Sequence, residues 1–258
     1  MKIAINGTYS TGKTTTALAL SFLTGITVTH ARTMREILPN AFPGKKLEKC
    51  NFHELMELGM RRFTERIVTE KNINGSFISD GCPLQEWIYG TTRMMTGLNP
   101  SEKPWKIRLH KKLFSPEWFV FERNISAFGH VVKQYTKSHY DVLIHLPVEF
   151  PFVPDGHRPT SEIYRSESEK LLCQTYKELD INIFEVNESL EKRLEKIVKK
   201  LNLCIVMTIE DAISKAHTIC KNKFDSVRFE TERSTHSQFK FTHSLHKRVD
   251  FRRYYTFV

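Results

Sequence analysis

Gly7-Thr8-Tyr9-Ser10-Thr11-Gly12-Lys13-Thr14 fits the pattern G-x-x-x-x-G-K-[ST] at every fixed position. Before it, Lys2-Ile3-Ala4-Ile5-Asn6 is a short apolar run that reads as a buried strand. After it, Thr15-Thr16-Ala17-Leu18-Ala19-Leu20-Ser21-Phe22-Leu23 is a helical pattern closed by Gly25. Strand, glycine-bounded turn and helix in that order predict a loop whose backbone N–H groups face inward and bind anionic oxygens. The first helical turn adds unpaired N–H groups and the positive end of the helix dipole. Lys13 is placed to reach the β- and γ-phosphates of a nucleotide, and Thr14 to offer its hydroxyl to Mg²⁺. Gly7, Thr8, Tyr9, Ser10, Thr11, Gly12, Lys13, Thr14 and Thr15 are the candidate ATP contacts.

The rest of the chain alternates short strands with helices. Ile26-Thr27-Val28-Thr29-His30 reads as a second strand. Its end leads into Arg32, Arg35 and Glu36, where open α/β sheets bind ligands, so these three are candidates for contacting an acceptor. An ordinary surface ion pair accounts for them equally well. Residues 39–48, with Pro39, Pro43 and Gly44, read as a loop. Phe52, Leu55, Met56, Gly59, Phe63 and Ile67 recur at helical spacing to about Lys71. Ser76-Phe77-Ile78-Ser79 is a strand ended by Asp80-Gly81. A carboxylate at a strand end beside the loop binds Mg²⁺ or takes a proton from an attacking hydroxyl, which makes Asp80 the leading carboxylate. Gln85, Glu86, Trp87 and Tyr89 follow as candidate lining of an acceptor pocket. A helix is predicted over 117–136 and a strand over Asp141–Leu146. Pro154 to Arg165 reads as a flexible lid carrying Arg158 and Arg165, whose planar guanidinium groups suit charge moving with a phosphoryl group. A helix over 168–179, a strand over Ile181–Val186 and a helix over Ser189–Leu201 complete the repeating unit.

By this point the chain resembles P-loop kinases of the thymidylate-kinase-like group. It is similar, more closely, to the AAA-type P-loop kinases that include the ribosylnicotinamide kinase domain. The likeness rests on Gly7 to Thr14, Asp80, Tyr140 to Leu146, Asp155-Gly156-His157-Arg158 and Asn187 to Arg193, and covers roughly residues 1–201. It implies an α/β fold with a five-stranded parallel sheet flanked by helices, ATP and Mg²⁺ as cofactors, and a lid over the nucleotide. In thymidylate kinases proper the loop is richer in glycine and acidic residues, and an Asp-Arg pair stands where this chain has Asp80-Gly81. That departure points away from a thymidylate acceptor.

Residues 202–258 lie beyond the resemblance and read as a small basic β-α-β-β-β appendage. Its strands are expected at 203–208, 224–231, 237–242 and 249–258, around a helix over Glu210–Lys221. Net charge is +10, and its placement is uneven. Residues 99–140 carry eight Lys and Arg against three Glu, and residues 233–258 six against one Asp. Trp105 and Trp118 flank the first cluster. Basic and aromatic residues mixed in this way suit a nucleic acid, a solvated surface, or simple attraction for ATP. The charge placement, the appendage and the kinase-like core together suggest viral kinases that phosphorylate 5-hydroxymethyluracil in DNA. Two alternatives stand beside that reading: a small-molecule nucleoside kinase, and a nucleotide-dependent DNA-binding ATPase. The five scattered cysteines form no C-x-x-C and read as free thiols. No run of 18 apolar residues occurs, and the chain starts on the loop's own strand, so a cytoplasmic protein is expected.

Overall fold

A computed structural model describes residues 1–96, 116–149 and 161–222. Five parallel strands form one sheet in the order β2-β3-β1-β4-β5: β1 (Lys2–Asn6), β2 (Thr27–Thr29), β3 (Phe77–Asp80), β4 (Val142–His145) and β5 (Ile183–Glu185). The sheet is buried on both faces because its central strands alternate two apolar sets. Ala4, Phe77 and Leu143 point to one side, where they meet α3 (Phe52–Lys71), α4 (Leu84–Thr96), α5 (Pro116–His139) and α6 (Glu162–Glu178). Ile3, Ile5, Ile78 and Ile144 point to the other. There they pack on α1 (Lys13–Thr24), α7 (Leu190–Leu201) and a final helix α8 over 209–222. Each such isoleucine, fully buried, contributes about 1.5–3 kcal/mol of transfer free energy. α2 (Met34–Ala41) forms a satellite core with α3 through Ile37, Leu38, Leu55 and Leu58.

The strand order reverses at β1, with β3 on one side and β4 on the other. This is the switch point at which open sheets bind ligands beyond the carboxyl ends of their strands. The loop after β1 therefore sits where the topology opens a crevice.

Several local expectations are corrected. α2 runs through Pro39 to Ala41. It starts firmly, because Thr33 and Glu36 form a reciprocal capping box. α6 begins at Glu162, because Ser161 caps it by accepting from the Tyr164 N–H. Arg165 is thus on the first turns of a helix and 1 % exposed, not on a flexible segment. Trp118 is buried against Phe52, with ring centroids 5.6 Å apart, and so belongs to the core and not to a basic surface. Leu203 to Thr208 forms no strand. It crosses the end of α1, where the Val206 N–H donates to the Leu23 carbonyl, and among the described residues no strand runs alongside to continue the ladder. The helix expected over 210–221 is present, and its Ala212 and Ala216 are fully buried on the α1 side. Arg158, Trp105, most of the lid and the three later strands of the appendage lie outside the described residues. All five cysteines are free. No helix among the described residues is long and apolar enough to cross a membrane.

Candidate functional site

The loop between β1 and α1 owes its shape to three residues with positive φ: Gly7 (140°), Ser10 (63°) and Gly12 (86°). Gly7 has no alternative. A Cβ there would lie 2.4 Å from the Leu146 carbonyl oxygen and 2.8 Å from Thr11 Oγ1. The rest of the structure fixes the loop through its carbonyls. Gln85 Nε2 donates to Gly7 O at 2.6 Å, and Arg193 from α7 donates to Thr11 O at 2.9 Å. Thr11 Oγ1 and Lys13 Nζ both donate to Thr8 O. The carbonyls of Gly7, Thr8 and Thr11 are thus taken up by side-chain donors, which suits a loop whose N–H groups bind anionic oxygens. The Tyr9 hydroxyl donates to Ser161 O at 2.9 Å, which ties the loop tip to the start of α6.

Asp80 ends β3 directly beside α1. Thr14 Oγ1 donates to Asp80 Oδ2 at 2.8 Å, and His30 Nδ1 lies 2.9 Å from the same oxygen. Burial pushes the Asp80 carboxyl up. The hydrogen bond and charge of His30, the Thr14 hydroxyl and the Lys13 ammonium outweigh burial and hold it well below its ordinary value. An ionised Asp80 only accepts, so His30 donates from Nδ1 whether or not the ring is charged, and Nε2 is the nitrogen that gains or loses a proton. Nε2 faces Glu36 Oε2 at 4.0 Å. A buried, ionised carboxylate and a threonine hydroxyl 2.8 Å apart fit the oxygen ligands that Mg²⁺ prefers.

The sequence-derived candidates therefore divide. Gly7 to Thr15, Asp80 and Gln85 converge at the switch point. Glu36 contributes to the His30 surroundings while also capping α2, where Thr33 N donates to its Oε2 at 2.6 Å. Arg32 is 52 % exposed and bound to Glu65 at 3.0 Å, along a groove between α2 and α3. Arg35 is half-buried on α2. Arg165 lies beneath the start of α6, 3.5 Å from Glu162. Of the expected pocket residues, Tyr89 forms an aromatic group with Tyr9 and Tyr164, with centroids 6.1–6.4 Å apart. Trp87 lies under Lys133, and Glu86 is buried in an ion network.

That network was not anticipated from sequence. Arg66 of α3, 1 % exposed, donates to Ser79 Oγ (2.9 Å), Asp80 O (3.3 Å) and Gly81 O (3.0 Å), and meets Glu86 Oε1 at 3.3 Å. Ser79 and Tyr140 donate in turn to Glu70. Arg66 thus holds the strand end that presents Asp80. His30 and Arg193 were missed as well. His30 had a signal, its position at the end of β2. Arg193 had only its place in the Asn187–Arg193 part of the likeness, and Arg66 had none, because a buried arginine on an amphipathic helix looks like a surface one.

Fold comparison gives the deoxyadenosine kinase of M. mycoides. With bound dATP it matches at TM-score 0.52 and 18 % identity, covering 78 % of this chain and 99 % of that one. With bound dCTP the values are 0.51 and 19 % over the same shares. The NadR protein in complex with NAD and AMP-PNP matches at 0.46 and 13 %, over 80 % of this chain and 51 % of its own. The fold is that of P-loop kinases of this kind. No curated protein matches by sequence. A family model described as AAA domain matches residues 2–193, a span from β1 through Arg193 that contains the whole crevice. The chain belongs to this AAA-domain family.

Proposed function

We propose that the protein is an ATP-dependent phosphotransferase that moves the γ-phosphate to a hydroxyl of a nucleotide-type acceptor. The observation that carries this reading is the convergence of Lys13, Thr14, Asp80 and His30 at the mouth of the loop. A loop built only to hold a nucleotide does not need a histidine–aspartate pair on the neighbouring strand ends. The kinase-like fold supports the same reading.

The loop N–H groups and Lys13 hold the β- and γ-phosphates, which takes up the positioning that dominates phosphoryl transfer. Thr14 and Asp80 would hold Mg²⁺, which neutralises charge on the phosphate oxygens when bound. The depressed pKa of Asp80 makes it a good cation ligand and a weak base. His30 is held through Nδ1 by Asp80, and in its unprotonated form it would take the acceptor proton at Nε2. Arg158 and Arg165 are assigned to charge stabilisation as the phosphoryl group moves, and Arg32, Arg35 and Glu36 to the acceptor side, while Gln85 holds the loop through the Gly7 carbonyl. The finer form of the proposal takes the acceptor to be a hydroxymethylated pyrimidine in DNA, on the strength of the basic segments 99–140 and 233–258.

The test is transfer of label from γ-labelled ATP to a nucleoside panel and to DNA with normal or hydroxymethylated pyrimidines. Label on an acceptor hydroxyl, abolished by Lys13→Ala, supports the phosphotransferase. Label confined to hydroxymethylated DNA supports the finer form, and label confined to free nucleosides rejects it. ATP hydrolysis without any labelled acceptor overturns the proposal.

A further inference from the structure

On the α6 side of the sheet, away from Asp80, three side chains of different chemistry meet. His145 ends β4 and is 1 % exposed. Its Nε2 lies 2.8 Å from Glu169 Oε1 and 4.0 Å from Cys173 Sγ, and the three donor atoms all fall within 4.8 Å of one another. Glu169 and Cys173 are four residues apart on α6, so one helix face presents both towards the strand end. No short sequence motif encodes this, because the third donor comes from a strand 24 residues earlier.

The surroundings are polar and under-satisfied. His145 Nδ1 and Glu169 Oε2 are buried and make no hydrogen bond among the described residues, and Asn6 meets the Tyr176 hydroxyl beside them. Asn6 is the register partner of His145, and the Tyr176 ring stands edge-on to the imidazole at 5.6 Å. A buried polar atom without a partner is costly, at about 1–3 kcal/mol. A buried His–Glu ion pair alone would account for only one contact in the group and would leave the thiol idle.

We propose that His145, Glu169 and Cys173 form a binding site for a zinc-class divalent cation, distinct from the Thr14–Asp80 position. Imidazole, carboxylate and thiolate are the donors that such an ion takes, at about 2.0–2.3 Å. A tetrahedral set of that size separates its donors by roughly 3.3–3.8 Å, so the present spacings need shifts of about 1 Å or less. Binding replaces the thiol proton of Cys173 and the proton between His145 and Glu169 with the metal, and both protons leave to solvent. A fourth position falls to water. The site lies at the foot of the phosphate loop: Asn6 directly precedes Gly7, and Leu146, which follows His145, places its carbonyl against Gly7. Its role is therefore to stiffen the base from which the loop springs.

The test uses the full chain, stripped with a chelator and titrated with Co²⁺. A cobalt ion bound by a thiolate gives visible ligand-field bands and a near-ultraviolet sulfur-to-metal band. The expected result is one equivalent of Co²⁺ with both signals. Cys173→Ser loses the sulfur band, His145→Gln weakens binding by about tenfold or more, and Asp80→Asn leaves the spectrum unchanged. Zinc should displace the cobalt and raise the melting temperature of the parent but not of Cys173→Ser. Circular dichroism checks that each variant is folded. Absence of the cobalt signals in the parent overturns the proposal in favour of a plain His–Glu ion pair. An unchanged sulfur band in Cys173→Ser overturns it in favour of another cysteine.

Discussion

Arg66→Met should lower stability by about 3–5 kcal/mol, the cost of breaking a buried ion pair by removing one partner. The size follows from what the guanidinium holds. Arg66 is 1 % exposed and serves Ser79 Oγ and the carbonyls of Asp80 and Gly81 through one nitrogen, and Glu86 through another. Methionine fills similar volume, so the loss is electrostatic and not a cavity. Glu86 keeps a second cation, Arg62, at 3.0 Å, which places the expected cost at the lower end of the range. For a chain of this size, about 2–4 °C per kcal/mol converts a loss of about 3 kcal/mol to a fall in melting temperature of roughly 6–12 °C. Urea unfolding of the parent, Arg66→Met, Glu86→Gln and the double variant closes a thermodynamic cycle. The coupling between the two positions should be at least about 1 kcal/mol, because Glu86→Gln removes the charge that Arg66→Met strands. A single-variant loss below about 1 kcal/mol, the level of an exposed pair, would refute the reasoning. So would strict additivity.

Gly7→Ala should weaken binding of a non-hydrolysable ATP analogue by tenfold or more, since its Cβ collides with a backbone oxygen that cannot move aside. Gly75→Ala is the control: it has φ of 105° but open space around it, so it should lose stability through backbone strain of about 1–3 kcal/mol and leave nucleotide affinity unchanged. Equal affinity losses in the two variants would contradict this account of the loop. Asp80 supplies a pH signature. Its carboxyl is held below the ordinary 3.8, so its contribution to stability is complete above that value and disappears as pH falls towards the folded value. The stability difference between the parent and Asp80→Asn should therefore shrink from about pH 5 to pH 3, measured by urea unfolding at each pH. A difference that stays constant over that range would mean that His30, Thr14 and Lys13 do not favour the charged form.

The sequence was most legible where one local signal sufficed. Short apolar runs marked the strands, and the spacing of Gly7, Gly12 and Lys13 marked the loop together with its strand and helix. The place of Asp80 beside the loop was legible because Asp80-Gly81 ends the strand that neighbours it. His30 carried the same positional signal at the end of β2, but Arg32 and Arg35 drew attention by charge. The structure instead gives Arg32 to Glu65 and His30 to Asp80. Arg165 misled for a related reason. Two arginines near Pro154, Gly156 and Pro159 look like a mobile lid, yet Ser161 supplies a helix cap, and capping decides where α6 begins. A capping serine weighs little in a reading dominated by arginine and proline.

What remained illegible is the part that depends on pairs distant in sequence. A phosphate loop is costly by itself, since it holds a non-glycine residue, Ser10, at φ of 63° and turns its N–H groups away from its own carbonyls. Those carbonyls must be satisfied elsewhere. Gln85 from α4 and Arg193 from α7 do this from opposite sides of β1, one for Gly7 and the other for Thr11. Arg66 does the equivalent for the turn after β3. All three are buried polar side chains on helices that otherwise present apolar residues to the core, and each donates to backbone and not to a ligand. Their identity is fixed by reach and donor geometry: an amide or guanidinium must span from a helix to a loop carbonyl without introducing an unmatched charge. The crevice is therefore organised from behind. Its recognisable residues line the crevice, and the residues that hold them in place lie on the far side of the backbone, where only the folded structure brings them together.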